Sequence, residues 1–265
     1  MGHDILKNEP EITEILTLFT HWHHDHIIGL FHSPVLFIKK YKMRLIGPYD
    51  NGVGPLQMME NMMRPPYFPI NIQEVRGDFK YKDIKFPGKD VILIHKLGIK
   101  IIDADVFETL SENLNELISI KKNKVPLKEF LAIKTIKTYH PGMTLSYRIE
   151  DLETRKVCVL MTDHENQDSI PNAMKHHIHG ADLLIIDCQY SRKRYDASNA
   201  GYGHSTPDYV INLASKCKVK RVGLTHHDPH NTDKEIDLIL EEAQQLCKNT
   251  EIEAFSCSDY MDILI

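Results

Sequence analysis

Short apolar runs recur along the chain, and most of them stop at a polar or ionisable residue. Ile15 to Thr20 reads as a buried strand, and a helical pattern opened by Asp25 and His26 then runs through Lys39. Met43 to Ile46 is a short strand closed by Gly47-Pro48, and residues 70 to 103 alternate strands with turns. The segment Met58 to Phe68 mixes a short helix with a proline-broken apolar stretch. Methionines at helical spacing are more often core than site contacts, while the proline and glycine density favours a shaped loop packed near a site, which could serve as a lid, over a buried helix. From Asp103 to Lys124 the pattern weakens and becomes charged, as in an exposed excursion. Strands return at Leu131 to Thr138, Thr144 to Glu150 and Lys156 to Met161. The remainder alternates strand and helix: Asp182 to Asp187, Thr206 to Ser215, Val219 to Thr225, Asp233 to Cys247 and Glu251 to Phe255. This is α/β organisation, in which ligands are expected where strands end.

Composition narrows the class. A chain of 265 residues, 42% hydrophobic, can bury a substantial core as one domain. Its 32 basic and 37 acidic residues give no overall attraction to nucleic acid or to an anionic membrane. Between Lys96 and His140, eight lysines face six acidic residues, too small a surplus for a dedicated RNA-binding arm. The first residues lack the apolar core of a signal peptide and no run approaches a bilayer span, so a cytoplasmic protein is expected. The five cysteines form no CxxC pair, and several lie in apolar runs as core residues.

Histidine is abundant, with 16 residues, and its placement carries the chemistry. His21-Trp22-His23-His24-Asp25-His26 follows the first strand directly. In extended chain, alternate residues share a face, so His21 and His23 can grip one cation while Trp22 faces elsewhere. Asp25 and His26 can then aim at a second, and Gly29 permits close packing of the helix that follows. His140 ends a strand before Pro141-Gly142, and Asp163 and His226 each follow another strand. These candidates divide into His21, His23 and His140 for one metal and Asp25, His26 and His226 for another, with Asp163 able to bridge. His227 competes with His226, because spacing cannot separate adjacent histidines. Imidazole and carboxylate donors with open positions suit zinc first, then manganese or iron, and exclude a thiolate site. Two such divalent metal ions would activate a shared hydroxide for hydrolysis.

The HxHxDH stretch, the isolated His140, Asp163 and the late His226 resemble, in order, the ligands of metallo-β-lactamase-fold hydrolases. "RPPYFPI" at 64–70, "HPGMTLSYRIE" at 140–150, "GHST" at 203–206 and "HHDP" at 226–229 are similar to the phosphodiesterase-type branch related to ribonuclease Z. The resemblance implies an αββα sandwich, with 1–265 as a single domain. It implies the same two ligand sets, and a role for His204, in "GHST", in touching the scissile phosphate and protonating the leaving oxygen. Asp25 could double as a base. A histidine at position 23 and an aspartate at 163 set the chain apart from the diiron HxExD pattern and from a cysteine-bearing β-lactamase. Asp187-Cys188-Gln189 departs from the His-Glu-Ala pattern of the nucleases. Only 20 residues precede His21, so the family's first hairpin segment is expected to be short or missing, and a homodimer to cover the exposed edge.

The function expected is therefore a metal-dependent phosphodiesterase for a small or cyclic nucleotide-like phosphodiester. The alternatives are a ribonuclease Z-like tRNA 3′-processing endonuclease, with nucleic acid the less favoured partner, and a catalytically impaired metal-binding protein. No membrane partner is expected. Arg192 to Arg194 are read as a solvated charged loop, and His176, His177 and His179 as surface residues.

Overall fold

The computed structural model describes residues 2–75 and 77–265, which divide into two compact units, 1–85 and 86–265. In the first unit, α1 (Gly2–Asn8) precedes β1 (Glu14–Leu18), α2 (His24–Phe31), β2 (Lys42–Pro48), α3 (Pro55–Met62) and β3 (Asp78–Ile84). The strands form a parallel sheet in the order β1-β2-β3, with Ile15 opposite Met43 and Leu45 opposite Tyr81. Parallel strands need crossovers, and α2 and α3 supply helical turns within them. Ile15, Phe19, Ile27, Phe31, Met43 and Leu45 pack with Met58, Met59 and Met63 in one core.

That packing corrects two expectations. Met58, Met59 and Met63 are core residues, as methionines at helical spacing usually are, but they sit on and beside a packed helix rather than in a shaped loop. The helix opened by Asp25 ends at Phe31 rather than Lys39, because Ser33 precedes Pro34, a position that disfavours the α conformation. Pro34–Phe37 form a separate 3₁₀ turn.

The second unit holds β4 (Asp90–His95), β5 (Gly98–Asp103), α4 (Ala104–Ser111), β6 (Leu117–Ile120), β7 (Asn123–Pro126), β8 (Leu131–Lys137), β9 (Leu145–Asp151) and β10 (Val157–Met161). It continues with α5 (Asn172–Ile178), β11 (Leu183–Asp187), a short α6 (Arg192–Arg194), α7 (Pro207–Lys216), β12 (Arg221–Thr225), α8 (Asp233–Cys247) and β13 (Glu253–Ser256). Eight strands form a mixed sheet in the order β13-β12-β11-β10-β9-β8-β4-β5. Strands β10 to β13 are parallel, and β9 is antiparallel to both β8 and β10. It follows that β8, β10, β11 and β12 all point the same way and deliver their C-terminal ends to one sheet edge. Near-continuous apolar strands such as Leu183–Asp187 fit burial on both faces, and α5, α7 and α8 supply much of that cover.

The stretch from Asp103 to Lys124 is not a bare excursion. It forms α4 and the β6-β7 hairpin, whose Phe107, Ile118, Ile120 and Val125 enclose a core of their own. Its apolar residues fall at helical and then alternating spacing, diluted by the charges on the outer face. Among the described residues, no helix is long and apolar enough to cross a membrane.

His177 also departs from expectation. His176 and His179 are exposed, but His177 is buried and its Nε2 donates to Ser146 Oγ at 3.0 Å, while Ser146 donates to Leu160 O at 2.9 Å. Burial pushes its pKa down to about 3, helped by the Arg148 and Lys134 charges. The unfolded chain protonates near 6.5, so this contribution to stability is complete above that pH and is lost as pH falls toward about 3. Between about pH 7 and 4.5, urea melts should show the parent losing on the order of 1–3 kcal/mol more than His177→Gln. Equal pH dependence in the two proteins would contradict the assignment.

Candidate metal and catalytic site

In the first unit, β1 carries the chain to Phe19, whose N–H still reaches Ile46 O at 2.8 Å. Beyond that last sheet contact lie Thr20 and the buried His21, joined by Thr20 Oγ1 to His21 Nδ1 at 3.1 Å. The His21 ring lies 4.4 Å from that of His23, edge-on, and 4.3 Å from that of His26. Trp22 faces the other way, as alternation requires. Its Nε1 donates to Val53 O at 3.2 Å and its ring lies 5.2 Å from Phe19. Gly47 makes room for it, since a Cβ there would stand 2.6 Å from the indole. His23 stands at the N-terminal boundary of α2 with no capping bond from its side chain, and Asp25 falls in the first turn, where its Oδ2 lies 3.1 Å from His26 Nε2. Gly29 does not serve close packing, because a Cβ there would meet nothing within 4 Å.

In the second unit, four strand ends converge on the edge defined above. His140 follows β8, Asp163 follows β10, Asp187 ends β11 and His226 follows β12. Thr138 Oγ1 donates to Asp163 O at 3.0 Å and ties the first two ends together. His140 Nδ1 donates to Gly203 O at 2.9 Å, which turns Nε2 toward Asp163 Oδ2 at 3.4 Å. His226 Nε2 lies 3.4 Å from the other oxygen, Oδ1. Asp163 is buried, and both it and His226 have positive φ, 55° and 59°. Such backbone is unfavourable for a ring-bearing residue and concentrates at functional sites. His227 turns away, its Nε2 bonded to Ser256 Oγ at 2.9 Å.

Asp187 is a site residue that sequence reasoning passed over. It is completely buried and accepts backbone N–H groups from Gln189 at 3.1 Å and from His164 and Ser205 at 3.3 Å. Its Oδ2 also accepts His204 Nδ1–H at 2.6 Å. Burial opposes charge on His204, but the Asp187 carboxylate overcomes it and raises the pKa, with Asp163 and Glu165 adding to the effect. Burial raises the Asp187 carboxyl above its usual range, against the pull of His204. The signal was an acid at the end of an apolar run, the same feature that marked Asp163.

His204 stacks on His226 at 5.0 Å and lies 5.2 Å from the His140 ring. Ligand atoms of Asp163, His204 and His226 lie within 4.8 Å of one another. The donor set fits a divalent cation: two imidazole nitrogens face the two oxygens of one buried carboxylate, and His140 is fixed by its other nitrogen. At His226 the Gln189 amide nitrogen lies 3.1 Å from Nδ1 and fixes the ring that turns Nε2 toward Asp163. Arg192 and Lys193 are exposed, as expected of a solvated charged segment, and the two arginines also make ion pairs. Arg194 pairs with Asp228 at 2.9 Å and Arg192 lies 3.6 Å from Asp208.

No family model matches the chain. Its sequence is similar to ribonuclease Z of Macrococcus caseolyticus, 26% identical over 98% of this chain and 85% of that protein. Ribonuclease Z of Enterococcus faecalis is 24% identical over 94% of this chain and 80% of its own length. Among solved structures, the short form of human tRNase Z has a TM-score of 0.55 at 17% identity, covering 98% of this chain and 82% of that one. Yeast PDE1 has a TM-score of 0.56 at 14% identity over 93% of this chain and 67% of its own. The metallo-β-lactamase fold protein YhfI from Bacillus subtilis has 0.53 at 17% identity, over 91% and 73%. The α/β fold is similar to that of these structures, and the chain has the metallo-β-lactamase fold with sequence similarity to ribonuclease Z over nearly its whole length.

Proposed function

We propose that the protein is a dinuclear metal-dependent phosphodiesterase acting on a small or cyclic nucleotide-like phosphodiester, with 1–265 working as one domain. His21, His23 and His140 are assigned to one cation, and Asp25, His26 and His226 to the other, with Asp163 shared. Zinc suits the donors best, ahead of manganese and iron. Divalent cations bound by these groups supply Lewis acidity to the phosphoryl oxygens and make a water acidic enough to attack at neutral pH.

The observation that carries the reading is the Asp187–His204 pair beside Asp163 and His226. Asp187 holds the His204 Nδ1 proton and favours the charged imidazolium, whose Nε2–H is the proton assigned to the departing oxygen. Asp25, exposed at the start of α2 and 3.1 Å from His26, is assigned the role of a further base. The His204 assignment predicts a dependence on the leaving group. p-Nitrophenolate departs without a proton, so His204→Ala should cost less than about tenfold with bis(p-nitrophenyl) phosphate. A diester with an alkoxide leaving group should lose about 10²–10⁴-fold. Equal losses on both would reduce His204 to a structural residue.

The second reading, a tRNA 3′-processing endonuclease, is favoured by the relatives named ribonuclease Z. Cleavage of precursor tRNA in preference to small diesters would establish it. A homodimer is part of the proposal, because β1 has a sheet neighbour on one side only among the described residues. A cytoplasmic location is proposed from the sequence alone.

A further inference from the structure

Beside His140 the second unit contains a cavity of about 690 Å³, within the range that holds small organic ligands. His140 and Gly203 form one wall, so any group bound there lies directly against a ligand histidine and the "GHST" loop. Ile136, Met143, Pro171 and Met174 line it with apolar surface, and the half-exposed Tyr139 adds an aromatic ring. Methionine and tyrosine surfaces of this kind accept flat, polarizable groups.

The charges disfavour another class. Lys137 is the one lysine or arginine among the described lining residues, whereas the Glu165 carboxylate is fixed in the wall. Glu165 Oε2 accepts Gly203 N–H at 2.6 Å, and Oε1 accepts the Tyr195 hydroxyl. A second phosphate would find one lysine, balanced by that carboxylate, and no arginine fork to clamp it, so the lining favours an uncharged group. Gln167, also in the lining, gives an uncharged ligand an amide to bond.

We infer that this cavity binds the non-reacting ester arm of the substrate, and that the arm is an uncharged, flat group of nucleoside or aryl type. The inference rests on the phosphodiesterase reading for its reaction and on the cavity alone for its ligand. It makes the enzyme selective for diesters whose second arm is a nucleoside, over those with small alkyl or phosphorylated arms.

The test fills the cavity from its rim. Ala173 lies in the first turn of α5, exposed and lining the space, and makes no part of the proposed metal or proton-transfer machinery. In the parent, the p-nitrophenyl ester of thymidine monophosphate should exceed methyl p-nitrophenyl phosphate in kcat/KM by at least about tenfold. Ala173→Trp should bring that ratio close to one with the methyl ester unaffected, while Ala173→Ser keeps the parent ratio. Thymidine alone, followed by calorimetry, should bind the parent and Ala173→Ser but not Ala173→Trp. This arm reads the cavity even if neither ester is hydrolysed, a result that would count against the phosphodiesterase reading instead. A thymidine preference that survives Ala173→Trp, or thymidine that fails to bind the parent, would overturn the inference.

Discussion

Replacing Asp163 by asparagine is expected to lower diester hydrolysis by more than about 100-fold, while leaving the metal-free protein folded. Groups that merely orient a ligand cost 10–100-fold, and Asp163 is assigned as the shared ligand itself. Its two oxygens face His140 Nε2 and His226 Nε2, each at 3.4 Å. Asparagine isolates the loss of charge. It tolerates the positive φ of 55° far better than alanine would, and it keeps the shape of a buried side chain. Cation binding stabilises the native state in proportion to affinity, so the rise in Tm on adding zinc should shrink sharply in the variant. A variant with parental turnover and a parental zinc-induced shift would remove Asp163 from the centre.

Gly203→Ala is expected to do nearly as much damage from outside the ligand set. Gly203 has φ of 95°, and a Cβ on it would stand 2.2 Å from His140 Nδ1 and 2.8 Å from Pro141 Cδ. Both neighbours are stiff, one a proline ring and the other an imidazole whose Nδ1 bonds Gly203 O. The backbone strain alone is about 1–3 kcal/mol. The displaced His140 would lose its orienting bond, which predicts a further 10–100-fold fall in metal affinity or activity. Equilibrium dialysis against zinc, beside urea melts, separates the two effects. Lowered stability with unchanged zinc affinity would show that the loop does not aim His140.

Part of the candidate site was legible because several of its residues stand just after an apolar strand. His21, His140, Asp163 and His226 all obey that rule, and the strand directions in the second unit bring the last three to one edge. Asp187 obeys it too but was absorbed into its strand, since one acid after four apolar residues carries no motif of its own. His226 and His227 differ in where their side chains point, the first toward Asp163 and the second toward Ser256, which sequence does not display. The proline-rich setting of the methionines and the exposed neighbours of His177 misled for a single reason. Composition reports what a side chain can do, whereas burial reports what it does, and Met58, Met59 and His177 are buried in packed interior. The α4 and hairpin module was obscured by outward-facing charge, which masked the alternation of Ile118, Ile120 and Val125.

The most direct test of the central claim is hydrolysis of bis(p-nitrophenyl) phosphate by zinc-loaded protein, measured with His140→Ala alongside. The account predicts turnover that chelation abolishes, that zinc restores, and that the variant lacks. Stoichiometric zinc binding with no hydrolysis of this or any other diester would contradict it, and would leave the chain a metal-binding protein without the proposed chemistry.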